Sequence, residues 1–570
     1  EIAGEMAMRL GMSREADESM LEDLVRARTV RAIMDWIGQV TDGSPGDQTD
    51  GVADGAAAAP VLEATALTPA AAEAGPDLPA GETPRRLLPR LAALEQAGGP
   101  ADSVSGARLV ITGETPVADQ LAERLRELGA EVRGVAPDAI EAADLEAADG
   151  LILLDGLAEA DTALPPAVFP LIKHALTRPG GQRWLLAAGA RGGSGAAGLA
   201  GLFRAIGAEY PDRFARYVEL DGAAPAGEIA ARLGSELLAA GGEPAVTYAD
   251  DVRSRLDLVP AELRDGTGAG PPADDTGAAQ AAELGLDSGS VIVLIGGARG
   301  ITARFARELA AVSGCRMELI GRTTAPGEPL PPDLEEAGDA VALRAALARQ
   351  GMRAAAEIER TTRDILARRE VAATLTELRE LGSQVRYHCA DAQDEEAVHQ
   401  VIKLIHQEHG RIDGLVYGAG VIEDRLIADK DPESFARVFR TKVSGAQAVL
   451  GALEELQHSP GFVVLFGSIA AAFGSRGQAD YAAANDALES VGAGWAARTG
   501  GRCLTVHWGP WAPLGAHPGM VTPELSRQYA RLGIGMVEPR QGALSLLDEL
   551  AWGDPALRAV VYTGSVPHVD

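Results

Sequence analysis

The sequence predicts an α/β protein made of two tandem units, and three observations carry that expectation. Short apolar strands such as Leu109-Val110-Ile111 and Val291-Ile292-Val293-Leu294-Ile295 alternate with helical periodicity over most of the 570 residues. Gly-, Pro- and Asp-rich stretches interrupt the alternation at 42–104 and at 265–280. The second unit alone opens on a Gly-rich strand-to-helix turn.

The elements follow in order. Within 1–41, Val30, Ile33, Met34 and Ile37 share one helical face while Arg26, Arg28 and Arg31 lie off it, which predicts a small helical segment. Residues 42–104 read as linker. The first α/β unit, 105–264, has a strand at Arg108–Thr112, a helix near 117–128, and strands at Leu151–Leu154 and Trp184–Ala188. Its first turn, Thr112-Gly113-Glu114-Thr115-Pro116, places an acid and a proline where phosphate-binding donors are needed, so no nucleotide is expected there. A second linker, 265–280, leads into the unit 281–570.

Composition excludes some classes. A formal charge of −31 repels nucleic acid and anionic lipid, and no run of 18 apolar residues could span a bilayer, so neither nucleic acid nor membrane is an expected partner. Cys315, Cys389 and Cys503 have no metal-ligand spacing, so no metal is expected and a cytoplasmic setting fits. The first residue, Glu1, reads as a boundary within a longer polypeptide.

The chemistry concentrates in the second unit. In Gly296-Gly297-Ala298-Arg299-Gly300-Ile301, glycines let the backbone approach a pyrophosphate and the following helix offers free N–H groups. Arg322 ends the next strand, where an acid usually holds the ribose hydroxyls; with Arg299 it favours a 2′-phosphate, hence NADPH. Asp391, followed by Ala392, would accept a hydrogen bond from the adenine amino group.

Further along stand Gly418-Ala419-Gly420, Lys442, Ser468 and Tyr481-Ala482-Ala483-Ala484-Asn485. This ordered set resembles the short-chain dehydrogenase/reductase superfamily, and more narrowly the ketoreductase domains of polyketide synthases. There lysine sits on the preceding helix and asparagine follows the tyrosine by four, as Lys442 and Asn485 do. The resemblance implies two Rossmann-like units: Gly198–Arg204 and Arg216–Asp221 are similar to a structural subdomain bracing a catalytic one.

It also implies reduction of a β-ketoacyl thioester carried on a phosphopantetheinylated acyl carrier domain, beside other synthase domains of the same polypeptide. The residue types suit that chemistry. Tyr481 would donate the proton to the nascent alkoxide, Ser468 would fix the carbonyl oxygen, Lys442 would ease loss of the phenolic proton, and Asn485 would orient Lys442 or a water. Gly509 and Pro510 fall on the nicotinamide side, and Met520 and Val521 on the acyl side. Ile422-Glu423-Asp424 and Phe473 occupy the family's stereocontrol positions and imply a 3R alcohol. Thr302 replaces a third glycine common in the family.

An insert over 323–380 resembles the reductases of polyunsaturated-fatty-acid synthases. Residues 1–41 resemble a carrier domain in which Arg28, preceded by Ala27, replaces the attachment serine; a degenerate carrier and an unrelated helix pair both fit. The competing functional reading is a reductase fold kept for architecture, binding cofactor with little turnover.

Overall fold

A computed structural model describes residues 81–565 except 96–102, 137–139, 141, 159–162, 179–180, 240–241, 264–276, 325–329, 514–528 and 532. The helical segment expected at 1–41, most of the first linker, and Met520 and Val521 lie outside the described residues.

Fifteen strands form one continuous sheet. They are β1 Arg85–Ala93, β2 Arg108–Thr112, β3 Glu131–Val135, β4 Gly150–Gly156, β5 Trp184–Ala190, β6 Phe214–Leu220, β7 Ala245–Ala249 and β8 Val252–Pro260. The second half holds β9 Val291–Ile295, β10 Arg316–Gly321, β11 Val385–Cys389, β12 Gly414–Tyr417, β13 Phe462–Ser468, β14 Cys503–Trp508 and β15 Ala559–Thr563. The spatial order is β11-β10-β9-β12-β13-β14-β15-β1-β8-β7-β6-β5-β4-β2-β3. Within β9 every residue is buried, as a parallel strand covered on both faces requires. The two tandem α/β units are Rossmann-like, each with its strand order reversing next to its first parallel strand, β2 in one half and β9 in the other.

The stretch expected as linker contains the strand that joins them. β1 pairs antiparallel with β15 through Arg85–Leu87 and with β8 through Leu87–Ala93. Pro89 argues against a strand in sequence, but β15 has already left β1 by that residue, so one side has no ladder for its missing N–H to break. Arg86 secures the seam: its Nε and Nη2 donate to the buried Glu549 at 2.6 and 3.0 Å, and Tyr562 of β15 donates to the same carboxylate at 2.7 Å. At the end of the second expected linker, Ala278–Glu283 is a short helix.

On one face the halves also share a core. Phe169 and Phe203 of the first half cluster with Phe435, Phe439, Ala482 and Ala483 of the second, and the rings of Phe169 and Phe435 stack at 4.2 Å. The helix Ala479–Thr499 lies between Pro432–Glu455 and Leu199–Glu209. Its Ala482, Ala483, Ala484 and Ala487 are fully buried, because small side chains let both neighbours approach closely. A β-carbon at Gly201 would stand 2.4 Å from the Ala482 carbonyl oxygen, so that crossing brings backbone against backbone. The insert folds as three helices, Pro332–Glu335, Ala340–Arg349 and Ala355–Glu380, around Leu334, Leu343, Leu347 and Ile365.

Candidate active site

β9 and β12 are parallel neighbours, and the order reverses between them, since β10 lies beyond β9 and β13 beyond β12. A crevice therefore opens at their carboxyl ends, where open α/β sheets bind ligands. Both Gly-rich segments are there. Gly296 has φ +74°, and a β-carbon on it would stand 3.0 Å from the backbone of Gly418 and Ala419. Thr302, in the place of the third glycine, is buried against Gly418; a β-carbon at 418 would meet its Oγ1 at 2.0 Å. The hydroxyl thus fills space that the glycine just past β12 leaves open.

The helix Gly300–Ser313 begins without a side-chain cap. Its first N–H, from Gly300, donates to Glu370 Oε1 at 3.1 Å, and Arg299 Nε donates to Glu370 Oε2 at 2.7 Å. The partner of Arg299 is thus a carboxylate of the insert. Ala298 is buried and Ile301 half-buried in the same turn. Arg322 is exposed at the end of β10. Asp391 Oδ1 accepts the Gln393 N–H at 3.0 Å, which fixes the turn after β11, and Ala392 is buried beside it. At the end of β14, Gly509 is required by Thr563, whose Oγ1 would lie 2.2 Å from a β-carbon; Pro510 accepts the Val537 N–H at 2.7 Å.

The crevice suits a dinucleotide. Its floor is glycine where a side chain would fill it, and the helix facing it has backbone donors beyond the one Glu370 uses.

Tyr481, Ser468 and Asn485 meet. Burial pushes the Tyr481 phenol up to about 12, against side-chain hydrogen bonds from Ser468 and Asn485 that favour the phenolate. Asn485 Nδ2 donates to the Tyr481 carbonyl at 2.7 Å, while its Oδ1 is buried without a partner. Lys442 is 5 % exposed on the helix packed against that of Tyr481, and burial lowers it to about 8. Among the described residues it has no carboxylate partner; a β-carbon at Gly420 would stand 3.4 Å from its Nζ. Asp424 accepts from Gln478 Nε2 at 3.0 Å, and Phe473 ends a short helix with 41 % of its surface exposed.

Residues 290–513 match the family model of the KR domain. That stretch is similar to a KR domain. One subunit of the polyunsaturated fatty acid synthase of Thraustochytrium sp. is 30% identical over 295 residues, 50% of this chain and 10% of that protein. Pikromycin polyketide synthase component PikAII of Streptomyces venezuelae is 35% identical over 187 residues, 32% of this chain and 5% of its own. The chain thus spans a tenth or less of the length of these relatives. Among solved structures, a ketoreductase from the first module of phoslactomycin biosynthesis in Streptomyces sp. HK803 superposes with a TM-score of 0.59 at 20% identity, covering 85% of this chain and 94% of its own. An A1-type ketoreductase gives 0.61 at 22%, covering 84% and 92%. At such identities the structures establish the fold.

The half that holds the site contains groups that the sequence did not reveal. Lys430 and Asp480 are almost wholly buried and bonded at 2.6 Å; Asp480 also accepts the Tyr481 N–H at 2.8 Å, and burial raises its carboxyl to about 6 against that pairing. No spacing rule joins positions fifty apart. Tyr529 is another. Burial raises its phenol, and the charges of Tyr481 and Asp424 add to the rise. Among the described residues no helix is long and apolar enough to cross a membrane, and no cluster of His, Cys, Asp or Glu could hold a metal.

Proposed function

We propose that the unit 281–570 reduces a carrier-bound β-ketoacyl thioester to the 3R β-hydroxyacyl thioester with NADPH. The observation that carries this reading is the phenol of Tyr481 with Ser468 and Asn485 beside it, on a helix packed against that of Lys442, an almost wholly buried amine with no carboxylate partner among the described residues. A phenol that stays protonated at neutral pH suits donation to an alkoxide, the far stronger base that hydride addition creates. Bound NADPH supplies the hydride.

Ser468 holds the substrate oxygen, Tyr481 transfers its proton to it, and Lys442 stabilises the phenolate until solvent returns a proton. The orphaned Asn485 Oδ1 orients the ammonium or the returning water. Arg322 and Arg299 favour the 2′-phosphate, Asp391 the adenine, and Asp424 with Phe473, Met520 and Val521 sets the face of the ketone presented. A fold retained for architecture alone would have no use for a buried ammonium that has no counter-charge among the described residues, which is costly to keep. The relatives are synthases by name, which supports a carrier domain and neighbouring synthase domains as partners.

The test is NADPH oxidation with a β-ketoacyl pantetheine thioester, followed by chiral analysis of the product. Turnover with mainly 3R alcohol is expected, with Tyr481→Phe lowering kcat by about 100-fold or more. Mainly 3S product overturns the stereochemical assignment, and an undiminished Tyr481→Phe overturns the role of the phenol.

A further inference from the structure

The half without catalytic residues reaches the active-site loops through one carboxylate. Glu209 is the last residue of the helix Leu199–Glu209, which packs against the Tyr481 helix. Its Oε1 accepts the Ile427 N–H at 2.6 Å and its Oε2 the Gly477 N–H at 3.1 Å. Those donors belong to different segments. Ile427 lies in the loop after β12 that carries Asp424; Gly477 lies in the turn that enters the Tyr481 helix, four residues before the phenol.

The two loops touch directly through one backbone bond, Arg425 N–H to the Gly477 carbonyl at 2.9 Å, and the Asp424–Gln478 side-chain bond lies beside it. Glu209 closes the same junction from the other half. Lys173, also of the first half, donates to the Lys430 carbonyl at 2.8 Å, and Lys430 in turn holds the Glu423 carbonyl at 2.7 Å and Asp480 at 2.6 Å. Gly477 has φ +81°, a conformation that only glycine adopts freely, so the turn depends on outside bonds for its shape.

We propose that Glu209 is a positioning residue for the reduction: it sets the distance between the Asp424 loop and the Tyr481 helix, and thereby the rate of proton transfer and the choice of ketone face. The proposal rests on the reductase reading above for its kinetic consequence, and on geometry alone for the ordering of the loops. A carboxylate is suited to the place because both of its oxygens accept an N–H there. Glutamine is nearly the same shape, but its NH₂ would face one of the two N–H donors.

The experiment compares the full chain with Glu209→Gln and with Val218→Ala. Val218 is buried in the cluster on the opposite face of the first half, among Leu121 and Leu233, so its truncation loosens that half without touching either loop. For Glu209→Gln we expect kcat to fall by roughly 10-fold with KM for NADPH within about twofold, and the minor enantiomer to rise about threefold or more.

Val218→Ala should lower Tm while leaving the enantiomer ratio unchanged, because a smaller folded fraction reduces all products alike. Amide exchange should quicken in 421–431 and 474–481 in Glu209→Gln only, a readout that needs no turnover. Unchanged exchange in those segments overturns the positioning role outright. Faster exchange with an unchanged enantiomer ratio overturns its link to face selection. If the unmodified chain reduces nothing, the reductase reading falls while the exchange result still decides what Glu209 holds.

Discussion

The turn after β2 and the turn after β9 occupy equivalent places in the two halves, yet their donors are used differently. After β2, Thr115 caps the helix Pro116–Glu127 by accepting the Ala118 N–H at 3.2 Å, Pro116 has no N–H to offer, and Thr112 donates to Asp155 across the mouth of the turn. After β9, Arg299 stands at the cap without a side-chain bond to its own helix, and the glycines keep the floor open. Equivalent turns thus differ: one helix start is capped by its own threonine and the other has no side-chain cap, which is the arrangement better suited to an anion.

The largest effect is expected where the two halves meet. Glu549 is 1 % exposed and neutralises Arg86 of β1. Glu549→Ala would leave that guanidinium half-buried without a counter-charge and Tyr562 without its acceptor, a loss of about 3 kcal/mol or more. Chemical denaturation should show it as one lower midpoint for both halves; if the halves were independent, the first half would unfold at its original midpoint.

Next comes the chemistry, which separates the halves completely. Tyr481→Phe should lower kcat by about 100-fold or more with NADPH affinity unchanged. Tyr217, the large buried tyrosine of the first half, has no serine or asparagine acting on its phenol, and Tyr217→Phe should leave turnover within about twofold. A comparable loss in both variants would mean that Tyr481 matters through packing.

The protonation of Lys442 gives a third, pH-dependent contrast. Its folded value, about 8, lies below the ordinary lysine range, so the ammonium is present below that pH and lost above it. kcat/KM should fall about tenfold per unit as pH rises beyond 8, and Lys442→Arg, which does not titrate there, should remove this limb. Stability has the opposite sign: between about 8 and the ordinary lysine value the unfolded chain retains a proton the folded one has lost, so stability rises with pH in that window. A limb unchanged in Lys442→Arg would assign it to another group.

How much of this was legible follows from which interactions are local. β9 and β2 are built on consecutive apolar runs, so their bounds could be read directly, and the turn after β9 was marked by its glycines. Lys442, Ser468, Tyr481 and Asn485 stood out through residue type and order. β1 did not, because what makes it a strand is β8 and β15, some 160 and 470 residues further along, while its own sequence has a proline and lies beside an Ala- and Gly-rich stretch. Lys430–Asp480, Glu209 and Glu370 escaped for the same reason: each is a charged residue whose partner is chosen by the fold. For Arg299, residue type suggested a phosphate ligand, and the fold adds a carboxylate partner, Glu370, that no local pattern could indicate.

That carboxylate gives the smallest expected effect and the finest test of the comparison. The first half passes from β3 to β4, the strand on the other side of β2, through a short segment, whereas the second half places three helices and the extra edge strand β11 between β10 and β12 and brings Glu370 onto the turn. Glu370→Gln keeps a carbonyl for the Gly300 N–H but removes the charge facing Arg299. Because Arg299 is 48 % exposed, solvent already screens much of that attraction, and NADPH should bind only about threefold more tightly, with NADH changing less because it lacks the 2′-phosphate. Fluorescence titration of the two cofactors would read the difference. Weaker NADPH binding would show instead that Glu370 orients Arg299 towards the phosphate, making the insert a part of the site rather than a competitor for it.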